Sequence, residues 1–549
     1  MKNRLIYIAA SLMAAGAMIS CHKITVKATS ELTPDIFPQD SSSFITATGP
    51  VYVALRGNVA AEYFFQQTYS TDEGIMPARG GNWYDGGQNL EMHYHTWTKD
   101  NGYVNGNWTW LSTIIGTVNQ QISILTRTQP AGAARDQSFA ELKMVRALAY
   151  YFMMDNWGNV PIDTLYGDFT PRDKSPRADV FNFIESEIKA AIPNLSTTVS
   201  KATYGRFTQW GAYALLAKMY LNAEYYTGTK RYDDCIAACD KIVGSSKFSI
   251  APMANYLKAF YPSNGPDAAG SKEEFIFAIP YDPTFSNTFP FRSANYHARY
   301  DVPRSMGSVS KGAGYNYFNI PYTPGGPAST LPEFYANFND AGDIRNKQWL
   351  VGKQTLPDGV TPLTITTTKA GYDAIAFKGD TTPYTYQLEL TPNIVLRQSS
   401  TSFDCGNDEV AWNMGYRNIK FYPDATSATR DQNNDIPIFR YSDIVLMKAE
   451  AILRGGTATL GQTALSLAND LRANRTTSPA WVTITLDSIY NERSREFAWE
   501  AWHRNDMIRF GKYEGKWGFK TNADAYRRVF PIPTNALAVN PKLTQNTGY

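Results

Sequence analysis

The chain has 549 residues, 43% of them apolar, enough for one large domain or two ordinary ones with a substantial core. Lysine and arginine number 52 against 50 acids, and no basic cluster interleaved with aromatics stands out, so nucleic acid is excluded as an expected partner. Aromatics make up 14% of the chain, with 35 Tyr and 12 Trp, and this excess is the compositional feature that most needs a function.

The first residues, MKNRLIYIAASLMAAGAMISC, place Lys2 and Arg4 before an apolar run from Leu5 to Ile19. That run is too short to span a bilayer and has the proportions of a secretory leader. Its end, Ile19-Ser20-Cys21, resembles a bacterial lipoprotein signal, in which the cysteine is acylated and becomes the new N-terminus. We therefore read residues 1–20 as a leader and Cys21 as the lipidation site. Loss of the leader removes Lys2 and Arg4 and no acid, leaving a formally neutral mature chain. Residues 21–45, rich in Ser, Thr, Pro and Asp, read as a tether from the lipid to a single folded body over 46–549.

Helical patterning begins near residue 50, and a glycine-rich stretch interrupts it at 80–106. In FAELKMVRALAYYFMMDNWGNVP, Leu142, Val145, Leu148 and Phe152 recur at helical spacing, and Gly158 with Pro161 stop the run. RADVFNFIESEIKAAIPNL carries a stripe of Val180, Phe183, Ile184, Ile188 and Ile192 ending at Pro193. FTQWGAYALLAKMYLNAEYY supplies Gly211, Ala214, Ala217 and Leu221, small enough for close helix approach. Cys235 and Cys239, four apart, read as small core residues on one helical face; with Cys405 they are too few for a disulfide framework.

Between 251 and 435 the texture changes to Pro, Gly, Tyr and Thr, with short alternating pieces such as TPLTITTTKAGY. Loops of that length inside one domain are usually functional. Helical texture returns at 436. YSDIVLMKAEAILRGG should close at Gly455, Thr459 and Gln462 offer a capping box ahead of ALSLANDLRANR, and a last helix is expected from about Asp487 to Gly511. The predicted fold is all-α: tetratricopeptide-like helix pairs over about 46–250 and 436–549, carrying a loop-rich insertion over about 251–435.

Four stretches in order, MVRALAYYFMMDNWGNVPI, IPIFRYSDIVLMKAEAILR, NERSREFAWEAWHRNDMIRFGK and VFPIPTNALAVNPKLTQNTGY, resemble the hallmarks of the SusD/RagB family of outer-membrane nutrient-binding lipoproteins of Bacteroidetes. With the leader, the resemblance spans nearly the whole chain. It implies a cell-surface protein, held in the outer membrane by its lipid, that binds glycans, or peptides in some members. It also implies a partner, a SusC-like TonB-dependent transporter on which the protein sits as a lid. After Cys21 the chain reads HKITVK without acids, so display on the outer face is implied by the family and not by this signal.

Catalytic chemistry finds little support. Arg493, Glu496, Glu500 and Arg504 share a helical face with Ile489, Phe497 and Met507. Glu496 and Glu500 could be drawn as the acid and base of a glycoside hydrolase. We read them instead as charges paired three and four residues apart along the helix, a structural network. His93 and His95 would share a face on a strand but lack a third metal ligand. Asp431, Asn433 and Asp435 have calcium-loop spacing, yet Ile436 stands where an EF-hand needs Gly and Ser442 where it needs Glu; a solvated turn is the expectation, a structural calcium ion the alternative, and no other cofactor is implied. No nucleophile elbow, phosphate loop or dinucleotide fingerprint occurs.

Sugars present flat C–H patches rimmed by hydroxyls, so a binder needs aromatic faces and a few polar groups. In GGNWYDGG, glycines at both ends hold out two large aromatics. Related proteins bind ligand through loops near this point and through the mid-chain insertion. The resemblance therefore nominates Trp83 and Tyr84 for stacking, Arg79 as a donor, Asn82 and Asp85 for hydroxyls, and Trp97 as a further aromatic. From the insertion it adds Tyr296, Tyr300, Tyr315 and Tyr317, which sit among Gly, Asn and Pro.

Overall fold

The computed structural model describes residues 41–129, 131–281, 297–307, 314–367, 384–397, 402–427 and 431–549. The leader, Cys21, most of the tether and Tyr296 lie outside the described residues.

Long helices dominate. Helix α1 (Ser41–Leu55) precedes a short α2 (Glu62–Thr68) and α3 (Gln88–Tyr94). The first pair of long helices is α4 (Gly102–Thr128) and α5 (Ala133–Trp157). Asn101 caps α4, its side chain accepting from the backbone N–H of Tyr103 at 3.0 Å. Helix α5 ends where predicted, at Gly158, which turns the chain with φ of 72°. Helices α6 (Arg177–Ala191), α7 (Gln209–Leu221) and α8 (Tyr232–Val243) continue the array, with α5 packed on α6 and α7 on α8. Gly211, Ala214 and Ala217 are buried on α7, as their size suggested, and Cys235 and Cys239 are buried free thiols on α8.

The chain returns to this array through α9 (Tyr441–Leu453), which packs against α8 and against α10 (Ala464–Ala473). The capping box ahead of α10 is Thr463 with Ser466, not Thr459 with Gln462. The Gln462 side chain is instead engaged by Lys448 at 2.6 Å.

The expected last helix is two helices, α11 (Leu486–Glu496) and α12 (His503–Arg509). Between them Trp499 and Ala501 take left-handed φ of 66° and 62°. The interruption has a physical cause. The Trp499 N–H donates to the buried Glu73 carboxylate at 2.7 Å, while the Lys420 ammonium takes the carbonyls of Glu496 and Ala498 at 2.9 and 3.0 Å. Backbone groups that would continue the helix are recruited by side chains far away in sequence.

The insertion leaves and rejoins the scaffold through one antiparallel strand pair, β1 (Phe275–Ile279) against β2 (Ile436–Arg440), with Ile279 opposite Ile436. Within it, Thr364–Thr367 pairs with Tyr384–Gln387. Ala298, Val302, Met306, Phe318, Leu363 and Leu390 belong to a small core of its own. The main core spans the scaffold helices and also takes in Leu331, Phe334, Trp349, Phe403 and Phe421 of the insertion. Among the described residues, no helix is long and apolar enough to cross a membrane.

Candidate functional site

The Gly80–Gly87 segment is held at its root by the insertion. Ala78 exchanges backbone hydrogen bonds with Phe403 and Cys405 at 2.8 and 3.0 Å. The amides of Gly80 and Gly81 donate to the two oxygens of Asp404 at 2.8 and 2.7 Å. A Cβ on Gly80 would lie 2.3 Å from the Asn407 side chain, so this approach requires glycine.

The two glycines make a tight turn, with Arg79 and Asn82 on either side of them exchanging backbone hydrogen bonds. Trp83 follows with φ of 67° and Asp85 with φ of 48°. A bulky residue in the left-handed region costs about 1–2 kcal/mol, which the surrounding contacts must offset. Asn89 fixes the strained residue by donating to its carbonyl at 3.2 Å.

The half-buried Trp83 indole rests against Gly325, where a Cβ would come within 2.4 Å of the ring. It meets Tyr300 edge to face, with centroids 5.3 Å apart, and the Arg299 guanidinium lies 5.4 Å from both rings. Tyr84 is 40% exposed, and Asn82 and Asp85 are exposed beside it. Partial burial raises the Asp85 carboxyl pKa above its ordinary value, and Arg299 opposes the shift. Trp83, Tyr84, Asn82, Asp85 and Tyr300 thus form one partly exposed cluster on two segments far apart in sequence.

Tyr315 and Tyr317 are tied to the 305–306 segment of the insertion. The amides of Tyr315 and Tyr317 donate to the carbonyls of Ser305 and Met306 at 3.1 and 3.0 Å. Tyr315 is 42% exposed, whereas Tyr317 packs on Phe318 and the insertion's core. Sequence reasoning missed Arg299, although it adjoins Tyr300 in HARYD. It also missed Arg304, which pairs with Glu409 at 2.7 Å and covers the Trp412 ring at 4.1 Å.

Two nominated residues are corrected. Arg79 is fully buried, and its guanidinium donates inward to the carbonyls of Ala411, Met414 and Pro327, so it ties the loop down instead of facing a ligand. Trp97 is core. Its indole N–H donates to the Tyr549 hydroxyl at 2.7 Å, and its ring packs on His95 and Phe530.

The carboxylates of α11 and of the turn that follows it also lie inside. Glu496 contacts Arg475, Arg440 and Arg345 at 2.9, 3.0 and 3.1 Å. Glu500 contacts Lys420 and Arg440 at 2.5 and 2.8 Å. Arg493 bridges Asp443 and Asp506 at 2.9 and 2.8 Å. These partners come from other segments, not from neighbours along one helix as expected. The arginines hold the Glu496 carboxyl well below the usual range despite its burial.

His93 lies in the last turn of α3, not on a strand. Its Nε2 accepts from the Phe519 amide at 3.0 Å, and burial pulls its pKa down to about 3. The turn at 431–435 is buried, not solvated: Asp435 accepts from the Tyr204 hydroxyl at 2.7 Å and the Tyr281 amide at 2.8 Å. Among the described residues, no group of three or more His, Cys, Asp or Glu is arranged to hold a metal.

Comparison with known proteins agrees with this architecture. A profile described as "SusD family" matches residues 214–549, and one described as "Starch-binding associating with outer membrane" matches residues 53–221. The chain is 24% identical over 423 residues to "Starch-binding protein SusD" of Bacteroides thetaiotaomicron, covering 75% of this chain and 72% of that one. It is likewise 24% identical over 448 residues to "SusD-like protein P25" of Formosa agariphila, covering 75% and 73%. Among solved structures, a "Laminarin binding SusD-like protein" superposes with a TM-score of 0.69 at 19% identity, covering 93% of this chain and 100% of that one. "Surface glycan-binding protein A" from Bacteroides uniformis superposes with a TM-score of 0.67 at 17% identity, covering 92% and 99%. The helical scaffold, the insertion rooted in it and a family match over more than half the chain lead to one conclusion: this chain belongs to the SusD family.

Proposed function

We propose that this chain is a non-enzymatic lipoprotein of the outer-membrane surface, anchored through Cys21, that captures an oligosaccharide on the Trp83 platform. It passes the ligand to a TonB-dependent transporter on which it sits. The observation that carries the reading is the left-handed, strained backbone at Trp83, which presents a half-exposed indole against Tyr300. Strain of this kind persists where it serves a site. A sugar face would stack on Trp83 and Tyr84, while Asn82, Asp85 and Arg299 meet its hydroxyls. The names borne by the relatives, starch-binding and laminarin-binding, favour a glycan over a peptide. The reading calls for no cofactor.

The test is calorimetric titration of residues 22–549 against maltooligosaccharides, laminarin, other polysaccharides and mixed peptides, with Trp83→Ala in parallel. Binding of one glycan at a site that Trp83→Ala weakens is the expected result. Heat from peptides alone, or from no glycan, sinks the reading.

A further inference from the structure

A second surface of the molecule has the chemistry of a ligand site and shares no residue with the Trp83 cluster. It is a cleft of about 730 Å³ between the outer face of α4, the 161–169 loop and helix α13 (Thr534–Val539). That volume lies within the range of small-molecule sites.

Its floor is a row of Thr109, Ser112, Thr113 and Gln120 at helical spacing. The Thr113 hydroxyl donates back to the Thr109 carbonyl at 2.8 Å, which leaves its oxygen lone pairs turned outward as acceptors. Its wall is aromatic. Phe169 is 92% exposed and Tyr166 54% exposed, with Leu165 and Val539 exposed beside them.

These side chains stand on a tethered frame. The base of the loop is pinned where Tyr150 donates to the Asp163 carbonyl at 3.0 Å and Asn119 donates to the same oxygen at 3.1 Å. Its far end is pinned where Asn540 donates to the Arg172 carbonyl at 2.8 Å. Gln120 donates to the Tyr166 hydroxyl at 3.3 Å and orients that ring over the floor. The loop keeps its shape while holding out two rings that bury little of their own surface, an arrangement that needs a partner to be worth its exposure.

The lining contains no lysine or arginine, and its two acids are committed: Asp168 pairs with Arg172 at 2.5 Å, and Asp163 accepts from the Leu165 amide at 3.3 Å. Exposed ring faces beside uncharged hydroxyls and amides complement a neutral sugar chain. With no lysine or arginine in its lining, the cleft lacks the countercharge that a phosphate or a polyanion calls for.

We propose that this cleft is a second binding site for a neutral oligosaccharide, stacked on Tyr166 and Phe169 and hydrogen-bonded by the α4 row. The inference rests on the glycan reading of the Trp83 platform. Two sites on one surface-held protein would retain a polysaccharide by avidity while each site remains weak enough to release it.

The test is titration of residues 22–549 with maltoheptaose and with laminarihexaose, comparing wild type, Trp83→Ala, the double variant Tyr166→Ala/Phe169→Ala, and Ser112→Arg, which obstructs the floor from an exposed position. The aromatic positions are exposed, so melting temperatures should match wild type. The expected stoichiometry is two in the wild type and one in each variant, with the remaining site of either groove variant lost when Trp83→Ala is added. A stoichiometry of one that Trp83→Ala abolishes and the groove variants leave unmoved overturns the second site and leaves the platform standing. Binding lost in the groove variants but kept in Trp83→Ala supports the cleft and sinks the platform. Absence of binding to both sugars overturns the cleft. Groove variants that impair glycan uptake by cells without changing the titration also overturn it, and mark the face as a protein contact.

Discussion

Trp83 and Tyr300 meet edge to face, with ring centroids 5.3 Å apart at an interplanar angle of 65°, although they come from opposite sides of the chain's scaffold–insertion boundary. The contact fixes an indole whose backbone is strained, and this gives a double prediction. Trp83→Ala and Trp83→Gly should both weaken glycan binding by about 2 kcal/mol or more, roughly thirtyfold in Kd. Glycine accepts the left-handed conformation, so Trp83→Gly should be more stable than Trp83→Ala by about 1 kcal/mol. Urea unfolding of the two variants checks the second part, and equal stabilities would remove the strain from the account.

Glu496 is surrounded by three guanidinium groups, and removing its charge leaves buried cations uncompensated. Glu496→Gln should therefore cost about 3–5 kcal/mol of stability. A hydrolase reading predicts the reverse pattern, lost glycoside cleavage with an unchanged fold. Chemical unfolding beside an assay for reducing ends separates the two.

Two buried acids should shape stability against pH in opposite directions. The Glu492 carboxyl is held down to about 2, against burial, by Arg345 and then Arg495. Its folded pKa lies below the ordinary value of about 4.5, so the stability it supplies is present above pH 4.5 and lost as pH falls toward 2. Burial raises Glu73 to about 7. Its contribution is complete below pH 4.5 and lost as pH rises to about 7. Glu73→Gln mimics the protonated acid and should remove that upper loss, on the order of 3 kcal/mol, from unfolding curves taken at pH 5 and pH 8. A wild-type profile with no fall across that window would contradict the shift.

Trp97 is packed on Phe530 and His95, so Trp97→Ala should cost about 3–5 kcal/mol and leave the affinity of surviving folded protein unchanged. Thermal melts together with glycan titration below the melting range check this. A loss of affinity without a loss of stability would return Trp97 to the ligand site.

The helices were legible because their signals are local. Apolar spacing fixed the run through Leu142 and Phe152, and Gly158 and Gly455 marked ends that the backbone confirms with φ of 72° and 104°. The break at Trp499 was not legible, since Glu73 and Lys420, which impose it, lie far off in the chain. At the candidate site the flanking glycines showed that Trp83 and Tyr84 reach the surface. Burial of the adjacent Arg79 was hidden, because the carbonyls of Ala411 and Met414 that claim it are supplied by the insertion. Arg299 and Asp404 escaped notice for the same reason.

The antiparallel pairing of Phe275–Ile279 with Ile436–Arg440 brings the two ends of the insertion side by side. Once that clasp is closed, lengthening the segment it encloses adds closure entropy only logarithmically. Between those fixed termini the insertion is free to vary only where it does not serve the scaffold: Arg345 and Lys420 meet Glu496 and Glu500, Trp349 packs on Trp499, and Asp404 with the carbonyls of Ala411 and Met414 holds the Trp83 loop.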